Sequence, residues 1–358
     1  MSGLAMKLIF SPWMLCAMTI TVVSANECAL NSECRPIADC PLIRDSFNLI
    51  KRKPYCNLDR PGAHVCCRRS SQNYTQPKYV DFRVIRECRS YDSVPSLQNA
   101  LGEECRYTSN IVGRVKVESK EFPFMALLYR KDGERENFTR LCSGTLISKK
   151  YILTSAHCFS RYDSHPNWAR LGDLDYNTNR DDALPQNIEI KHYTLHREYY
   201  KAKLARYNDI ALAELAQEAI FNDYVRPACL SLMLDANDFQ EFLIAGWGWS
   251  SPESEPSSHL HKMKFDRLDD EKCFEIYRYR LEKGINNRTH TCAIPSTGDV
   301  GICNGDGPLF VTHPEFPCQF LVVGYFSFRH DVCGSKDDPD VYTRIRLYTD
   351  WIQSIVWN

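Results

Sequence analysis

The chain has 358 residues, including 17 cysteines, and its 44 Lys and Arg against 45 Asp and Glu give a formal net charge of −1 at pH 7. This near-zero charge argues against nucleic-acid binding as the main task, because such binding needs a strongly basic surface. Beyond the first residues, the sequence has no apolar segment long enough to span a membrane.

Residues 1–25 have the pattern of a secretory signal peptide. Lys7 supplies a positive start, residues 8–23 are largely apolar, and Val23-Ser24-Ala25 is a small-residue cleavage site. A signal anchor is the alternative, but the apolar run is short for a membrane span. Loss of the signal removes Cys16 and leaves an even number of cysteines, which predicts a disulfide framework in a secreted, extracellular protein.

Residues 26–70 are rich in cysteine and end in an adjacent cysteine pair. A segment this small cannot bury enough apolar area to fold without disulfides. The pattern resembles the clip domain of arthropod serine proteases. That resemblance implies three pairs, which spacing alone could not select: Cys28–Cys66, Cys34–Cys56 and Cys40–Cys67.

The same segment carries an excess of Lys and Arg over Asp and Glu, densest at residues 51–53 and 68–69. One interpretation is a docking surface for an acidic partner or a microbial surface polymer. The other is a solvated face that keeps a small domain soluble.

Residues 71–110 have the composition of a linker, with prolines, serines and little periodicity. Asn73, in this segment, begins an N-glycosylation acceptor sequence, and so do Asn137 and Asn287 further along the chain. Each acceptor predicts a surface position for its segment.

Asn110-Ile111-Val112-Gly113-Arg114 ends the linker and resembles the activation site of chymotrypsin-like serine proteases. In that family, cleavage before the isoleucine releases an ammonium group that pairs with a buried aspartate beside the nucleophile. Asp306 matches that aspartate and Ile111 would supply the ammonium. Asn110 stands where trypsin-like activators need Arg or Lys, and Arg114 replaces a glycine, so we expect the usual activation switch to be disabled.

Three motifs carry the catalytic resemblance. Residues 154–158 (Thr-Ser-Ala-His-Cys) match the family's histidine motif around His157, and residues 208–212 match its aspartate motif around Asp209. Residues 303–309 (Cys-Asn-Gly-Asp-Gly-Pro-Leu) resemble the serine motif, but Asp306 runs directly into Gly307 and the Ser-Gly pair is missing. The chain therefore keeps a base and the group that orients it, and lacks the nucleophile that the base would activate.

The resemblance covers residues 111–358 and implies an all-β fold of two packed antiparallel six-stranded β-barrels, trypsin-like, with the site in the cleft between them. Short apolar segments read as strands at 124–129, 145–147, 151–154, 242–245 and 319–328. Apolar residues at helical spacing predict a terminal helix over residues 342–357.

Cysteine positions in this part fit the same family. The resemblance implies that Cys142–Cys158 holds the histidine loop, and that Cys273–Cys292 and Cys303–Cys333 tie the loops around the substrate pocket. Four cysteines then remain. The resemblance implies that a linker cysteine, either Cys88 or Cys105, pairs with Cys229, and the other would then pair with Cys318.

The substrate pocket departs from the family pattern. Its floor residue is Gly301, where trypsin-like members have Asp, and its walls carry Arg329 and Asp340, where glycines are normal. We expect both side chains to intrude on the pocket with opposite charges. The alternative is that local insertions shift the register and both side chains face solvent.

Metal binding is an alternative interpretation, and no cofactor is expected. His157 lacks a second histidine at ligand spacing, and every cysteine has a disulfide role. The acidic loop with Asp173 and Asp175 lies where some family members bind calcium, although a solvated loop is the simpler interpretation. His157 and Asp209 themselves could persist because a buried imidazole bonded to a carboxylate packs the barrel interface.

Asp306 needs a cation if Ile111 is never released, because an unpaired buried charge is costly. Arg140 stands where zymogens of this family often have a partner for that aspartate. A pair between Arg140 and Asp306 is therefore one hypothesis. The other is that Arg140 faces solvent beside Asn137.

Together these features predict a catalytically inactive clip-domain serine protease homologue. The resemblance implies a cofactor, adaptor or decoy in an extracellular proteolytic cascade of innate immunity, such as melanisation or Toll-type signalling, with proteases or their zymogens as partners. Two alternatives stay open. One is an active serine endopeptidase whose recorded sequence lost the Ser-Gly pair. The other is a protein that binds microbial surfaces or acts in reproductive fluid.

Overall fold

The computed structural model describes residues 32–36, 64–68, 83–91, 111–132, 138–160, 165–232, 234–248, 257–279, 281, 284–286, 288–297, 307–314, 319–329 and 339–357, with side chains for all of these except 32–36, 64–68 and 138–141. The chain divides into two compact units, residues 1–80 and 81–358. The second unit carries the predicted catalytic motifs.

In the first unit, the described residues form two antiparallel strands, β1 (Ser32–Pro36) and β2 (His64–Arg68). Their register places Cys34 opposite Cys66. The predicted bridges Cys28–Cys66 and Cys34–Cys56 each include one cysteine outside the described residues, and both cysteines of Cys40–Cys67 lack a described side chain.

The second unit begins with helix α1 (Arg83–Tyr91), which lies within the predicted linker. Cys88 forms a disulfide with Cys229, and the backbone N–H of Val84 donates to Oε1 of Gln353 at 3.1 Å. These two contacts hold the helix against the rest of the second unit. A helix this short is not stable as an isolated peptide. Part of the predicted linker is therefore packed structure.

The first barrel is a closed antiparallel sheet. Its strand order is β11-β6-β5-β4-β7-β8, and a separate hairpin, β9 and β10, precedes β11. The strands are β4 (Met125–Lys131), β5 (Phe138–Leu146), β6 (Tyr151–Thr154), β7 (Trp168–Leu171), β8 (Gln186–Leu195), β9 (Tyr200–Lys201), β10 (Arg206–Tyr207) and β11 (Ala211–Leu215).

The second barrel is also closed and antiparallel. Its order is β12-β15-β16-β17-β14-β13, pairing of β12 with β13 closes it, and the short strand β3 extends the edge at β13. The strands are β3 (Val115–Lys116), β12 (Glu241–Gly246), β13 (His261–Leu268), β14 (His290–Pro295), β15 (Pro308–Thr312), β16 (Phe320–Phe328) and β17 (Asp340–Arg344). The predicted fold of two six-stranded barrels is confirmed.

Helical segments are few and short in the described part of the chain. They are η1 (Ala156–Cys158), η2 (Ala236–Asp238), α2 (Asp270–Tyr277), η3 (Ile345–Tyr348) and α3 (Thr349–Val356), besides α1. The prediction of one terminal helix from residue 342 was wrong at its start. Tyr342 belongs to β17, because its backbone pairs with Phe326 on β16 and Thr291 on β14.

The strands next to the barrel interface are buried on both faces. On β16, Leu321 and Val323 pack inside the second barrel, whereas Phe320 and Val322 join a cluster shared by both barrels. This alternation follows from the two-residue period of a strand. Phe124 from the first barrel meets Phe320 in that shared cluster, with ring centroids 5.3 Å apart. The site described below lies where these two barrels meet.

Candidate functional site

His157 and Asp209 are brought together by neighbouring strands of the first barrel. His157 lies in η1, directly after β6, and Asp209 lies just before β11. The two strands pair with Ala211 opposite Thr154, so the segments next to them meet at one end of the barrel. The Cys142–Cys158 disulfide ties η1 to β5.

Asp209 holds the histidine at two points. Its Oδ2 lies 2.8 Å from Nδ1 of His157, and its Oδ1 accepts the backbone N–H of the same residue at 2.8 Å. A third donor, the hydroxyl of Ser327 on β16, reaches Oδ2 at 2.8 Å. Because Nδ1–H faces the carboxylate in the neutral ring, Nε2 carries the lone pair, which is the arrangement of a general base.

The carboxyl group of Asp209 is fully buried. Burial opposes its ionisation, but the charge and hydrogen bonds of His157 and the hydroxyl of Ser327 outweigh burial and hold its pKa below the ordinary value. The group is therefore an anion at neutral pH. Thr343 of the second barrel donates to the backbone carbonyl of Asp209 at 3.1 Å, so both barrels fix this loop.

The serine-motif region resumes in the described structure at Gly307. A Cβ at Gly307 would lie 2.1 Å from the backbone oxygen of Ala245, so the position accepts only glycine. Three predicted site residues, Gly301, Cys303 and Asp306, lie outside the described residues. The side chain of Arg140 does too, and its proposed pair with Asp306 stays a hypothesis.

The activation-site remnant is described from Ile111 onward, and Asn110 lies outside it. Ile111 is buried, and the guanidinium of Arg114 donates to the carbonyl of Gly248 at 2.9 Å. The same guanidinium lies 3.1 Å from Nδ1 of His261. Burial, reinforced by the positive charge of Arg114, lowers the pKa of His261 to about 4. The residue that replaces the family glycine is therefore tied to the second barrel.

Arg329 and Asp340, the two predicted pocket residues, bind each other. Nη2 of Arg329 donates to Oδ2 of Asp340 at 2.6 Å, and Nε donates to Oδ1. The side chains are 11% and 5% exposed, so neither faces solvent. The sequence predicted that these side chains of opposite charge intrude on the pocket, and the structure shows that they are nearly buried and form one bidentate ion pair.

The side chain of another arginine, Arg206, contacts the second barrel. Arg206, on β10 of the hairpin that precedes β11, donates from Nη1 to the backbone carbonyl of Ser327 on β16 of the second barrel. The positive charge of Arg206 also favours ionisation of the neighbouring Asp209. This residue was not found from the sequence, because no motif or spacing marks it.

Disulfides in the described residues join Cys142 to Cys158, Cys273 to Cys292 and Cys88 to Cys229. The first two join the cysteines that the resemblance paired, and the third resolves one alternative in favour of Cys88 over Cys105. Cys105, Cys318 and Cys333 lie outside the described residues, and so do the glycosylation acceptors Asn73, Asn137 and Asn287.

The acidic loop uses its carboxylates within the protein. Asp173 pairs with Arg170, and its Oδ1 accepts the backbone N–H of Leu174 at 2.9 Å. The backbone N–H of Asp175 donates to Asp181 at 3.0 Å. Burial raises the pKa of Asp173 although Arg170 opposes the shift. These carboxylates accept hydrogen bonds from within the loop and its neighbours. The calcium interpretation stays a prediction.

Clusters of potential metal ligands in the described part of the chain consist of Cys88, Cys229 and His313, and of Cys142, His157 and Cys158. The cysteines of both clusters are joined in disulfides, so their sulfur atoms are not thiolates. Within those same described residues, no helix has the length and apolar character that crossing a membrane requires.

Comparison with known proteins agrees with this geometry. The sequence model of the trypsin family matches residues 111–352. Among curated proteins, the chain is 35% identical over 254 residues to serine protease snk of Drosophila melanogaster, a match that covers 69% of this chain and 57% of that protein. The matched region is thus less than two thirds of that relative.

Two other relatives are covered more fully. Phenoloxidase-activating factor 3 of Holotrichia diomphalia is 33% identical over 260 residues, which is 69% of this chain and 72% of that protein. CLIP domain-containing serine protease HP8 of Bombyx mori is 28% identical over 375 residues, which is 98% of this chain and 99% of that protein. Similarity therefore extends over the N-terminal segment as well as the barrels.

Proposed function

Because the chain belongs to the trypsin family of serine proteases, we propose that it is a non-catalytic member that acts as a cofactor, adaptor or decoy in an extracellular proteolytic cascade. Residues 26–70 would be its clip domain, residues 71–110 its linker and residues 111–358 its protease-like domain. The signal-peptide pattern and the cysteine framework support secretion.

One observation carries this proposal. The base and its orienting carboxylate are in place, with His157 and Asp209 2.8 Å apart, but the sequence passes from Asp306 directly to Gly307. Without a hydroxyl, His157 has no proton to remove from a nucleophile. In a related site, removal of the nucleophile alone lowers turnover by about 10⁶.

The cleft supports the same proposal independently of the missing serine. Arg329 and Asp340, at the positions that the family resemblance assigns to the pocket walls, form a nearly buried ion pair, and under this proposal the pair would have to separate to admit a substrate side chain. Arg206 already uses the backbone carbonyl of Ser327, an acceptor that a polypeptide lying along β16 would need. Both contacts oppose the binding of an extended substrate.

The proposed partners are extracellular proteases or their zymogens. One relative is named for activating phenoloxidase and another for its CLIP domain, which supports a place in melanisation or a related immune cascade. Such a role needs a protease-like surface but no turnover. The first unit, through its basic segments, would supply an additional contact.

The first test is active-site labelling of the purified mature protein. We expect no hydrolysis of peptide esters and no reaction with a fluorophosphonate, because the cleft has no activated hydroxyl. A variant with Ser-Gly inserted after Asp306 is the matched control for correct folding around the site. Stoichiometric labelling of the natural protein that disappears in His157→Ala would refute the proposal.

A reconstituted cascade tests the cofactor role. Adding the protein to a phenoloxidase zymogen and its activating protease should change the rate of activation, with equal effect from natural protein and His157→Ala. An effect that requires His157 would instead support the rival function, an active endopeptidase. The intact His157–Asp209 geometry is the observation that favours this rival, and resequencing the transcript across Asp306 and Gly307 decides it directly.

A further inference from the structure

The hairpin of β9 and β10 carries a local excess of positive charge. Residues 199–207 contain Lys201, Lys203 and Arg206 but no Asp or Glu, whereas the whole chain has a formal net charge of −1. The side chain of Arg206 is directed to the carbonyl of Ser327. Lys201 and Lys203 are both exposed, so they carry the positive charge that the hairpin presents to solvent.

Packing of the hairpin determines which surface these lysines border. Ala202, between them, is buried in a hydrophobic cluster that also contains Tyr277 and Leu281. Tyr277 is the last residue of α2, and Leu281 lies in the segment after it. The hydroxyl of Tyr207, at the end of the hairpin, donates to the carbonyl of Gly284 in that segment at 3.0 Å. The hairpin is therefore fixed against the part of the chain in which α2 ends.

The end of α2 adds a third exposed cation and an exposed aromatic ring. Arg278 and Tyr279 directly follow the buried Tyr277, and Tyr279 is 87% exposed. The guanidinium carbon of Arg278 lies 5.2 Å from the centroid of the Tyr279 ring, within the range of a cation–π contact. Because Tyr277 packs with the hairpin, these two residues and the two lysines border one buried cluster. The name basic surface is used below for the four exposed residues Lys201, Lys203, Arg278 and Tyr279.

In the described part of the chain, the three cations of the basic surface form no ion pair with a carboxylate. The acidic residues in the first turn of α2, Asp270 and Glu271, lie about 10–12 Å along the helix axis from Arg278. Asp270 also accepts hydrogen bonds from Arg344. Exposed cations without a paired carboxylate create a positive potential that attracts anionic polymers.

We propose that the basic surface binds a sulfated polysaccharide. Sulfate groups are ionised at all physiological pH values and repeat along the polymer, so several of them can meet the three cations at once. The ring of Tyr279 offers a flat apolar face on which a sugar ring can lie, and its hydroxyl offers a hydrogen bond. An acidic peptide such as polyglutamate has no ring to place there. The inference goes beyond the proposed function and does not depend on whether His157 has a nucleophile to activate.

Removal of charge tests the surface. The mature protein should bind a heparin oligosaccharide, measured by calorimetry at several salt concentrations. Lys201→Ala combined with Lys203→Ala should weaken this binding at least about tenfold near physiological salt and lower the slope of log affinity against log salt by about 2, close to one counterion per lost contact. No binding by the natural protein, or a double variant that binds as the natural protein does, overturns the proposal.

Two other exposed lysines provide the matched control. The side chains of Lys149 and Lys191 are 59% and 62% exposed and lie elsewhere on the first barrel. Lys149→Ala with Lys191→Ala changes the net charge by the same amount but should bind heparin as the natural protein does. If both double variants lose affinity equally, heparin responds only to net charge, and the basic surface is not its site.

The aromatic ring and the choice of polymer test the kind of partner. Tyr279→Ala should weaken heparin binding about threefold or more with an unchanged salt slope, because a ring and not a charge is lost. The natural protein should bind desulfated heparin, and polyglutamate of equal net charge, at least about tenfold more weakly than heparin. Equal binding of polyglutamate would assign the surface to acidic peptides and overturn the proposal, and so would unchanged binding by Tyr279→Ala. Fluorophosphonate labelling, which tests the proposed function, is unaffected by any of these results.

Discussion

The histidine site and the pocket both include residues at the end of β16, but the carboxylates of the two sites are satisfied in different ways. Asp209 gathers donors from both barrels and keeps His157 oriented with Nε2 available. Arg329 and Asp340 instead satisfy each other and occupy the space between them. One region has the arrangement of a catalytic histidine and aspartate, and the other is a nearly buried ion pair.

Contacts within and between the barrels are sufficient to explain how Asp209 and His157 are held in this arrangement. Asp209 is held by His157, by Ser327 and by Thr343, and these contacts join the two barrels. Loss of the donor from His157 or Ser327 leaves the buried carboxylate of Asp209 short of a hydrogen bond, and loss of Thr343 removes the donor to its backbone carbonyl, whatever the protein does with its substrates. The pocket has no such constraint, because its carboxylate is satisfied by one side chain of the same sheet.

The largest effect that would test this comparison comes from breaking the pocket pair. Asp340→Ala leaves the guanidinium of Arg329 buried without its anion, so we expect the free energy of unfolding to fall by roughly 3–5 kcal/mol. Urea titration measures the change. Replacing both residues by leucine should recover most of the loss, because neither charge then stays buried and unpaired.

The exposed pair of Lys191 and Glu214 is the matched control. Its atoms are 3.0 Å apart, but the side chains are 62% and 23% exposed. Lys191→Ala should therefore change the free energy of unfolding by less than about 1 kcal/mol. If Asp340→Ala is as mild as Lys191→Ala, the pocket pair is not the sealed contact described here.

A smaller effect is expected in the histidine site. Ser327→Ala removes one donor to the buried carboxylate of Asp209 and should cost about 1.5–3 kcal/mol, as is usual for a hydrogen bond to a charged group. Chemical denaturation measures it. Ser354→Ala is the control, because that exposed hydroxyl donates to a neutral backbone carbonyl of Trp351. A Ser327 variant indistinguishable from the Ser354 variant would mean that packing does not maintain the site.

The smallest effect concerns the altered activation segment and depends on pH. The pKa of His261 is lowered to about 4 in the folded protein, from 6.5 in the unfolded chain. Between these two pH values the histidine is protonated in the unfolded chain but not in the folded protein, so protons favour unfolding. Stability from this group is present above that window and is lost as pH falls through it. The melting temperature of the natural protein should therefore fall more steeply between pH 6.5 and 4 than that of His261→Gln.

Other histidines with lowered pKa values, such as His313 and His290, act in the same direction, so only the difference between the two proteins is informative. Arg114→Gly should reduce that difference, because its positive charge is the second cause of the shift. Parallel pH profiles for the natural protein and His261→Gln would contradict this assignment.

Much of this arrangement could be predicted from the sequence, for a physical reason. The two-barrel fold and the roles of His157 and Asp209 were implied by the resemblance to a known family, and that resemblance could be seen because the motifs around both residues are local in the sequence. The pairing of Arg329 with Asp340 depends on the register of two strands, which composition and spacing do not reveal. The sequence therefore predicted where these charges lie but not that they neutralise each other.

Helix α1 and Arg206 could not be predicted for a related reason. Residues 83–91 are helical because Val84 and Cys88 are held by contacts with the rest of the second unit, which the sequence of this segment alone does not reveal. Arg206 has no motif, and its role appears only when β10 and β16 are placed side by side. Choosing Cys88 over Cys105 as the partner of Cys229 likewise required the position of the helix.

The disulfide between Cys88 and Cys229 has a consequence for the way the chain is connected. It closes a covalent ring that contains every residue from 88 to 229, including the remnant of the activation site at Ile111. A single cut inside that ring opens it but separates nothing. Residues upstream of Cys88 therefore stay covalently attached to the barrels after any such cut, for as long as this bridge is intact.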